Sequence, residues 1–276
     1  MASGRGVLDV AGGQSGLAWE LINYDRVPAT VVDPRPSVRA RRFERRYAHR
    51  RRQEEDGEAV EAEAPRHWPV YWRDEVWRPV RHGEPSADAL AALTAALSEK
   101  PPHANSARRT RKGYFEETRQ SDDGDEASAD ITAISPPPPP PPSAEEAWTT
   151  LRDCSMVVGM HPDSATESIV DFALQHGKPF AVVPCCVCAV DFPNRKMQPL
   201  RQRPPALQQR GPPTTKADAE YLAFVDHLVA KAPERIGVTV LGFEGRNLCI
   251  YSLPPATSMP PEDGDTCCEA CEIALN

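Results

Sequence analysis

The fold is decided by the segment VLDVAGGQSG at residues 7–16 and the segment VVDP at residues 31–34. An apolar run ending in an acid, a glycine turn, a helical stretch and a second apolar run ending in Asp33 are typical of a β-turn-α-β unit. Such a unit suits a nucleotide, because glycines let the backbone approach the ligand and the helix start directs free N–H groups at it. Asp33, at the tip of the second strand, could accept hydrogen bonds from both ribose hydroxyls.

Two cofactors use a loop of this kind, NAD and S-adenosylmethionine. The spacing A-x-G-x-x-G at residues 11–16, with Asp33 roughly 20 residues later, fits the dinucleotide fingerprint if alanine is accepted at the first position. The choice depends on Asp9, which precedes the turn, because VLDVAGG and VVDP resemble the first two motifs of class I methyltransferases. The alternative is a glycine turn in an α/β protein that binds no nucleotide.

The methyltransferase resemblance implies a doubly wound, Rossmann-like α/β fold with a seven-stranded, mostly parallel sheet and a C-terminal antiparallel hairpin. It also implies S-adenosyl-L-methionine as the cofactor, with Asp9 near its methionine end and Asp33 holding its ribose. The hairpin, expected within residues 238–251 around a Glu244-Gly245 turn, separates this family from NAD-binding folds. The predicted cofactor-binding residues are Asp9, Ala11, Gly12, Gly13, Gly16, Asp33 and Met160.

The composition predicts a packed domain with long unpacked segments. The chain has 276 residues, 30 of them proline, and a mean hydropathy of -0.52. We expect one domain over residues 1–255, interrupted by a charged insert at 37–64 and a disordered proline-rich insert at 101–142, and followed by a disordered tail at 256–276. The net charge of -8 gives no support for a nucleic-acid partner. Without a membrane-length apolar stretch or a signal peptide, we expect no membrane contact and a cytoplasmic location, with the nucleus as the alternative.

The two inserts differ in character. Between residues 39 and 52, eight arginines are interleaved with Phe43 and Tyr47, and six acids follow. This pattern fits either an RNA-contacting arm or an exposed helix or disordered insert, and charge runs usually mean exposure. Seven consecutive prolines at 136–142 predict a polyproline II rod that serves as a spacer or as a ligand for a proline-binding domain.

Strands four and five are expected at residues 154–160 and 180–183, and each is followed by reactive side chains. His161-Pro162-Asp163 follows the fourth strand, and Pro184-Cys185-Cys186 follows the fifth. Ligands of an open α/β sheet bind outside the carboxyl ends of its strands. The glycine turn, Asp33 and these two loops should therefore share one crevice.

The same region carries a second resemblance. GMHPDSATESIVDFAL followed by KPFAVVPCCV looks like a group of poorly characterised methyltransferase-like proteins. A looser form, H-x-x-x-A-T and then C-C-H, occurs in tRNA 2'-O-methyltransferases, whereas this chain has Val187 at the last position. The resemblance implies RNA as the substrate, with tRNA favoured, and substrate-facing roles for His161 and Asp163.

Four residues are candidates for catalysis: His161, Asp163, Cys185 and Cys186. His161 could act as general base for a hydroxyl or ring nitrogen, because the usual pKa of histidine suits neutral pH. Alternatively, His161 and Asp163 only cap the next helix. The cysteines could be nucleophiles, metal ligands together with Cys188 and His161, or small packing residues. Packing is favoured, and no metal is expected.

Other side chains have simpler interpretations. Arg195 could hold a phosphate or carboxylate of the substrate. The aromatic residues at 68–77 could line a base-binding cleft, but core packing is favoured. The tail thiols Cys267, Cys268 and Cys271 have metal-like spacing without a fourth ligand, so we expect them to be unligated.

The prediction from sequence is therefore an S-adenosylmethionine-dependent methyltransferase that acts on RNA. The first alternative is a catalytically inactive methyltransferase fold that works as an interaction scaffold through its inserts. The second alternative is an NAD-linked oxidoreductase, which the hairpin would argue against.

Overall fold

The computed structural model describes residues 6–35, 62–99, 139–189, 191–209 and 212–253, together with Phe43 and Tyr47. Its strands are β1 (Val7–Val10), β2 (Ala29–Val32), β3 (Arg66–Trp68), β4 (Met156–Met160), β5 (Phe180–Val183), β6 (Ile236–Val240) and β7 (Leu248–Ser252). Its helices are α1 (Gly16–Asn23), α2 (Asp74–Trp77), α3 (Ala87–Ser98), α4 (Ala144–Asp153), α5 (Thr166–His176), α6 (Pro205–Gln209) and α7 (Lys216–Ala230). A 3-10 turn at Asp163–Ala165 precedes α5.

The strands form one mixed sheet in the order β3-β2-β1-β4-β5-β7-β6. The first five strands pair in parallel, and β7 pairs antiparallel with both β5 and β6. The predicted α/β class, the seven strands and the C-terminal antiparallel pair are therefore confirmed. Because the chain leaves β1 toward β2 on one side and β4 lies on the other, the carboxyl ends of β1 and β4 border a crevice.

Local sequence signals explain where the helices begin and end. The Ser143 hydroxyl accepts a hydrogen bond from the Glu146 amide at 3.2 Å and caps α4, as the S-x-x-E pattern predicts. Thr215 caps α7 in the same way through the Asp218 amide at 3.1 Å. Helix α5 ends at Gly177, whose φ of 60° lies in the left-handed region that favours glycine.

The core consists of two apolar clusters that use alternate residues of the strands. Leu8 and Val10 of β1 belong to the larger cluster, and Val7 belongs to the smaller one, where it packs with Ala18 of α1. Successive side chains of a strand point to opposite faces, so the clusters lie on different faces of the sheet. Trp68, Trp72 and Trp77 are buried in the larger cluster, as predicted, whereas Tyr71, for which packing was also favoured, is 38% exposed.

Several boundaries differ from the sequence prediction. The fourth strand begins at Met156 because Cys154 still terminates α4, with its amide donating to the Thr150 carbonyl at 2.9 Å. The hairpin loop is longer than a Glu-Gly turn and spans residues 241–247. The Asn247 amide group explains this loop, because it donates to the carbonyls of Leu241 at 2.9 Å and Phe243 at 2.7 Å.

Part of the predicted charged insert packs on the domain. Phe43 and Tyr47 are helical, and Phe43 stacks on Trp19 with ring centroids 5.8 Å apart. The Glu63 amide donates to Asn23 Oδ1 at 2.8 Å, and Asn23 Nδ2 donates to the Glu63 carbonyl at 2.9 Å. The other residues of 37–61, residues 101–138 of the proline-rich insert and the tail 256–276 lie outside the described residues. In the described ranges, no helix combines the length and apolar character needed to cross a bilayer.

Candidate active site at the carboxyl edge of the sheet

Strained backbone is concentrated in the loops that follow β1, β4 and β5. Within the described residues, most non-glycine residues with positive φ lie there: Ala11 (55°), Ser15 (66°), His161 (55°), Asp163 (48°) and Cys188 (49°). A non-glycine residue in this region costs roughly 1–3 kcal/mol, and such strain is typical of functional sites. The strained residues thus lie at the carboxyl ends of the strands, where the crevice was predicted.

Asp9 is buried beneath the glycine turn with half of its hydrogen-bonding capacity unused. Its Oδ2 atom accepts a hydrogen bond from the Ala18 amide of α1 at 3.3 Å. Its Oδ1 atom is buried and has no partner in the described part of the chain. Burial raises the pKa of this carboxyl to about 6, and the nearby charge of Asp33 adds to the effect.

Gly12 is required by this arrangement. A Cβ atom at position 12 would lie 2.5 Å from Asp9 Oδ2, so any side chain there would displace the buried carboxylate. Ser15 occupies the residue before α1, as expected, but its left-handed backbone gives no side-chain cap. The amide that binds Asp9 at the start of α1 is therefore that of Ala18, and Gly12 allows the turn to lie close to the Asp9 carboxylate.

Asp33 is fully paired at the tip of β2. Its side chain accepts hydrogen bonds from the Gly13 amide at 2.9 Å and the Arg35 amide at 2.8 Å. The Arg35 guanidinium adds two more, from Nε at 3.0 Å to Oδ1 and from Nη2 at 2.9 Å to Oδ2. A ribose that donates to both oxygens would have to displace this guanidinium, whose side chain is 62% exposed. The pairing of Arg35 with Asp33 was not predicted, although the sequence has this cation only two residues after the acid.

The tip of β4 presents His161 to the surface beside an aromatic residue that the sequence did not indicate. The His161 ring is exposed and lies 6.1 Å from the Phe243 ring, at an angle of 79°. Met160 and Phe243 are both about 40% exposed, at 41% and 40%. His161 and Phe243 form an aromatic surface between β4 and the β6–β7 loop, and Met160, which precedes His161, is exposed as well. A planar group could pack there.

Asp163 does not use its carboxylate to cap the following helix. Its Oδ1 atom instead accepts a hydrogen bond from the Cys185 thiol at 3.0 Å, while Thr166 Oγ1 donates to its backbone carbonyl at 2.8 Å. Partial burial raises the pKa of the Asp163 carboxyl. The structure thus brings Asp163 and Cys185, two of the predicted catalytic residues, into direct contact.

Three free thiols lie together in the loop after β5. Cys185 Sγ is 3.5 Å from Cys186 Sγ, and Cys186 Sγ is 3.1 Å from Cys188 Sγ. Hydrogen bonds from Cys185 and Cys188 lower the pKa of the central Cys186 thiol and raise those of its two neighbours. All three thiols are half-buried, and their packing, nucleophilic and metal-binding interpretations stay predictions.

Arg195 lies in a buried ion-pair network rather than free in the crevice. Its Nε atom is 2.8 Å from Glu167 Oε2, its Nη1 atom donates to the Val187 carbonyl, and its side chain is 7% exposed. Its guanidinium also lies over Phe192 and Phe224, 4.1 Å and 4.6 Å from the ring centroids. These contacts anchor the cysteine loop. They leave the substrate role of Arg195 as a prediction that its geometry does not favour.

Glu167 is the centre of that network. Its Oε1 atom accepts from His227 Nε2 at 2.9 Å and lies 2.9 Å from Lys231 Nζ. The Gln198 amide donates to His227 Nδ1 at 3.1 Å, which leaves the proton on Nε2 to face Glu167. The hydrogen bond from His227, with those of the neighbouring cations, lowers the pKa of Glu167 to about 2. A cleft of about 460 Å³ beside this network is lined by Glu167, His227 and residues 191–196.

Comparison with models of protein families, with curated proteins and with solved structures found no match for this chain. The candidate site therefore rests on its own geometry. It combines a buried carboxylate with one oxygen that has no partner among the described residues, a second carboxylate at the next strand, an exposed histidine and a cluster of thiols, all at the carboxyl ends of the strands.

Proposed function

We propose that the chain is a class I S-adenosylmethionine-dependent methyltransferase with a doubly wound, Rossmann-like sheet. The observation that carries this proposal is the antiparallel β6–β7 pair at the edge of a parallel sheet, with β7 next to β5. The strand order supports it because β1 and β4 lie side by side and direct their following loops into one crevice. The same pair argues against an NAD-linked oxidoreductase.

The residues of the crevice fit this cofactor. Asp9 Oδ1 is a buried acceptor without a donor among the described residues, and the amino group at the methionine end of the cofactor would supply one. Asp33 would bind the ribose after Arg35 moves away, while Gly12, Gly13 and Gly16 keep side chains out of the turn. Met160 would pack beside the cofactor. When bound, the cofactor supplies an activated methyl group.

We assign to His161 the role of the general base that removes the proton from the methyl acceptor. Methyl transfer requires an aligned acceptor atom, removal of its proton and exclusion of water. His161 is exposed at the tip of β4, so its ring can reach an acceptor hydroxyl or ring nitrogen placed in the crevice. Phe243, 6.1 Å away, would hold a planar substrate against it.

RNA is the substrate class that we favour, with tRNA first. Support comes from the similarity of HPDSAT and PCC to the paired motifs of tRNA 2'-O-methyltransferases and from the aromatic surface of His161 and Phe243. The cytoplasm is the expected location. An inactive scaffold remains the alternative function, and the retention of Asp9, Asp33 and His161 argues against it.

The experiment is incubation of the chain with bulk RNA and protein and an isotopically labelled methyl donor, followed by mass spectrometry of nucleosides and peptides. We expect label in RNA, lost with His161→Ala by about 10²- to 10⁴-fold in rate. A matched control is His82→Ala, which removes an exposed histidine on the loop before α3. Label in protein alone would contradict RNA as the substrate. No label in either RNA or protein would favour the inactive scaffold.

A further inference from the structure

The loop after β5 brings three free thiols into short contact with one another and with a carboxylate oxygen of Asp163. The single Cys185 proton faces both Asp163 Oδ1 at 3.0 Å and Cys186 Sγ at 3.5 Å, and it can serve only one at a time. Asp163 Oδ1 is also 3.6 Å from Cys186 Sγ. Ligand atoms of Asp163, Cys185 and Cys186 thus converge on one point of the crevice.

We propose that Cys185, Cys186, Cys188 and Asp163 bind a thiophilic divalent cation, zinc in the first instance. Thiolate sulfur and carboxylate oxygen are ligands that zinc takes in tetrahedral sites, with Zn–S near 2.3 Å and Zn–O about 2.0–2.2 Å. Those bond lengths place neighbouring ligand atoms about 3.6–3.8 Å apart. The three distances among Asp163, Cys185 and Cys186, 3.0–3.6 Å, lie within several tenths of an ångström of that geometry. Cys188 Sγ is 3.1 Å from Cys186 but lies outside this group of three, so its side chain would turn toward the ion to become the fourth ligand.

The backbone explains how C-C-x-C, an unfavourable spacing in sequence, becomes a compact ligand set. Cys188 has a φ of 49°, and this left-handed turn returns its Sγ atom to 3.1 Å from Cys186. The Cys188 carbonyl accepts hydrogen bonds from the amides of Asp191 at 3.0 Å and Phe192 at 3.1 Å, which fix the turn. Asp163, with a φ of 48°, closes the cluster from the β4 side.

Contacts outside the ligands hold the loop in this position. The Arg195 guanidinium donates to the carbonyl of Val187, the residue between the last two cysteines. Glu167 holds that guanidinium in turn. Partners of this kind orient metal ligands and are part of a built site. A bound cation would link the tip of β4 to the loop after β5, on one side of the proposed substrate crevice.

The test uses the full chain with Cys267, Cys268 and Cys271 replaced by serine, so that the tail thiols cannot contribute metal binding. Cobalt(II) serves as the spectroscopic probe, because thiolate ligands give it charge-transfer absorption and tetrahedral sites give it intense visible bands. Zinc bound after dialysis is measured by inductively coupled plasma mass spectrometry. We expect one ion per chain and a thiolate charge-transfer band.

Two substitutions separate this cluster from the other thiols. Cys186→Ser, at the centre of the cluster, should remove the charge-transfer band and weaken zinc binding at least about tenfold. Cys188→Ser should do the same, which guards against a folding defect in the first variant. Cys154→Ser is the matched control, because Cys154 is buried, donates to the Leu151 carbonyl at 3.3 Å, and a serine hydroxyl can replace that donor.

The proposal is overturned if the reduced chain binds no zinc or cobalt, or if Cys186→Ser binds both as the parent does. These readouts do not involve methyl transfer. Failure of the metal site is therefore distinguishable from failure of the proposed enzyme.

Discussion

The guanidinium of Arg35 spans both carboxylate oxygens of Asp33, with Nε 3.0 Å from Oδ1 and Nη2 2.9 Å from Oδ2. Two amides, from Gly13 and Arg35 itself, complete the hydrogen bonding of this carboxylate. An adenosine ribose that donates to Asp33 must therefore exchange with the arginine. In this structure Arg35 thus occupies the hydrogen-bonding positions on Asp33 that the ribose would use in the proposed cofactor site.

Replacing the competing side chain should strengthen cofactor binding. We predict that Arg35→Met binds S-adenosylhomocysteine several-fold more tightly, because the ribose then no longer has to displace a guanidinium from the buried Asp33 carboxylate. Isothermal titration calorimetry measures the change. Arg78→Met is the control, since Arg78 is 61% exposed and pairs with a different acid, Asp74, at 2.6 Å. Weaker binding by Arg35→Met would show that Arg35 contacts the ligand instead of competing with it.

Asp9 should reduce the stability of the free protein at neutral pH. Its folded pKa of about 6 lies above the unfolded value of 3.8, so the folded state binds more protons and loses stability as the pH rises from about 4 to about 6. Asp9→Asn keeps the acceptor for Ala18 and removes the buried charge. We predict a gain of up to about 3 kcal/mol in unfolding free energy at pH 7, which disappears near pH 4.

Urea denaturation at the two pH values measures this effect, with the exposed Asp25→Asn as the control. The variant should also lose methyl transfer, because the amide replaces the charged acceptor of the proposed site. Equal stabilisation at pH 4 and pH 7 would contradict the assigned origin of the gain.

Glu167 should have the opposite pH dependence. Its folded pKa of about 2 lies below the unfolded value of 4.5, so its contribution is present above about pH 4.5 and is lost as the pH falls toward 2. We predict that Glu167→Gln lowers the unfolding free energy by about 3 kcal/mol at pH 7 and by less near pH 3. Glu220→Gln, which removes an exposed partner 3.8 Å from Lys216, should change little.

The proline-rich segment should contribute little to stability. Residues 103–138 have a composition that buries too little apolar surface to offset the entropy of ordering, so replacing them with a short Gly-Ser linker should leave the melting temperature nearly unchanged. Asn23→Ala should by contrast destabilise the protein by about 1–3 kcal/mol, because it removes both hydrogen bonds that hold Glu63. Differential scanning calorimetry compares the two changes. A large loss in the linker variant would show that the segment packs on the domain.

Patterns of short range predicted much of the fold. Apolar runs marked β1, β2 and β5, and Ser143 marked a helix start, because strand burial and helix capping depend on neighbouring residues. The placement of Asp9, Asp33, His161 and the cysteines at one edge followed from the β-α-β order, since the carboxyl ends of parallel strands meet there.

Contacts between distant segments could not be predicted from local sequence patterns. Phe243 beside His161 depends on a long hairpin loop held by Asn247, and the burial of Arg195 depends on Glu167 of α5. The compactness of the cysteine loop required the left-handed conformation of Cys188, which no glycine marks in the sequence. Arg35 lies two residues after Asp33 in the sequence, but its hydrogen bonds to both carboxylate oxygens depend on the side-chain conformation and could not be predicted.

Calorimetric titration of the full chain with S-adenosylhomocysteine tests whether the crevice binds the methyltransferase cofactor. We predict binding of one molecule per chain, with at least tenfold weaker binding by Asp33→Ala, because charge-assisted bonds to the ribose contribute about 1.5–3 kcal/mol each. NAD should not bind. Absence of S-adenosylhomocysteine binding to the wild-type chain would contradict the claim that this crevice belongs to a methyltransferase.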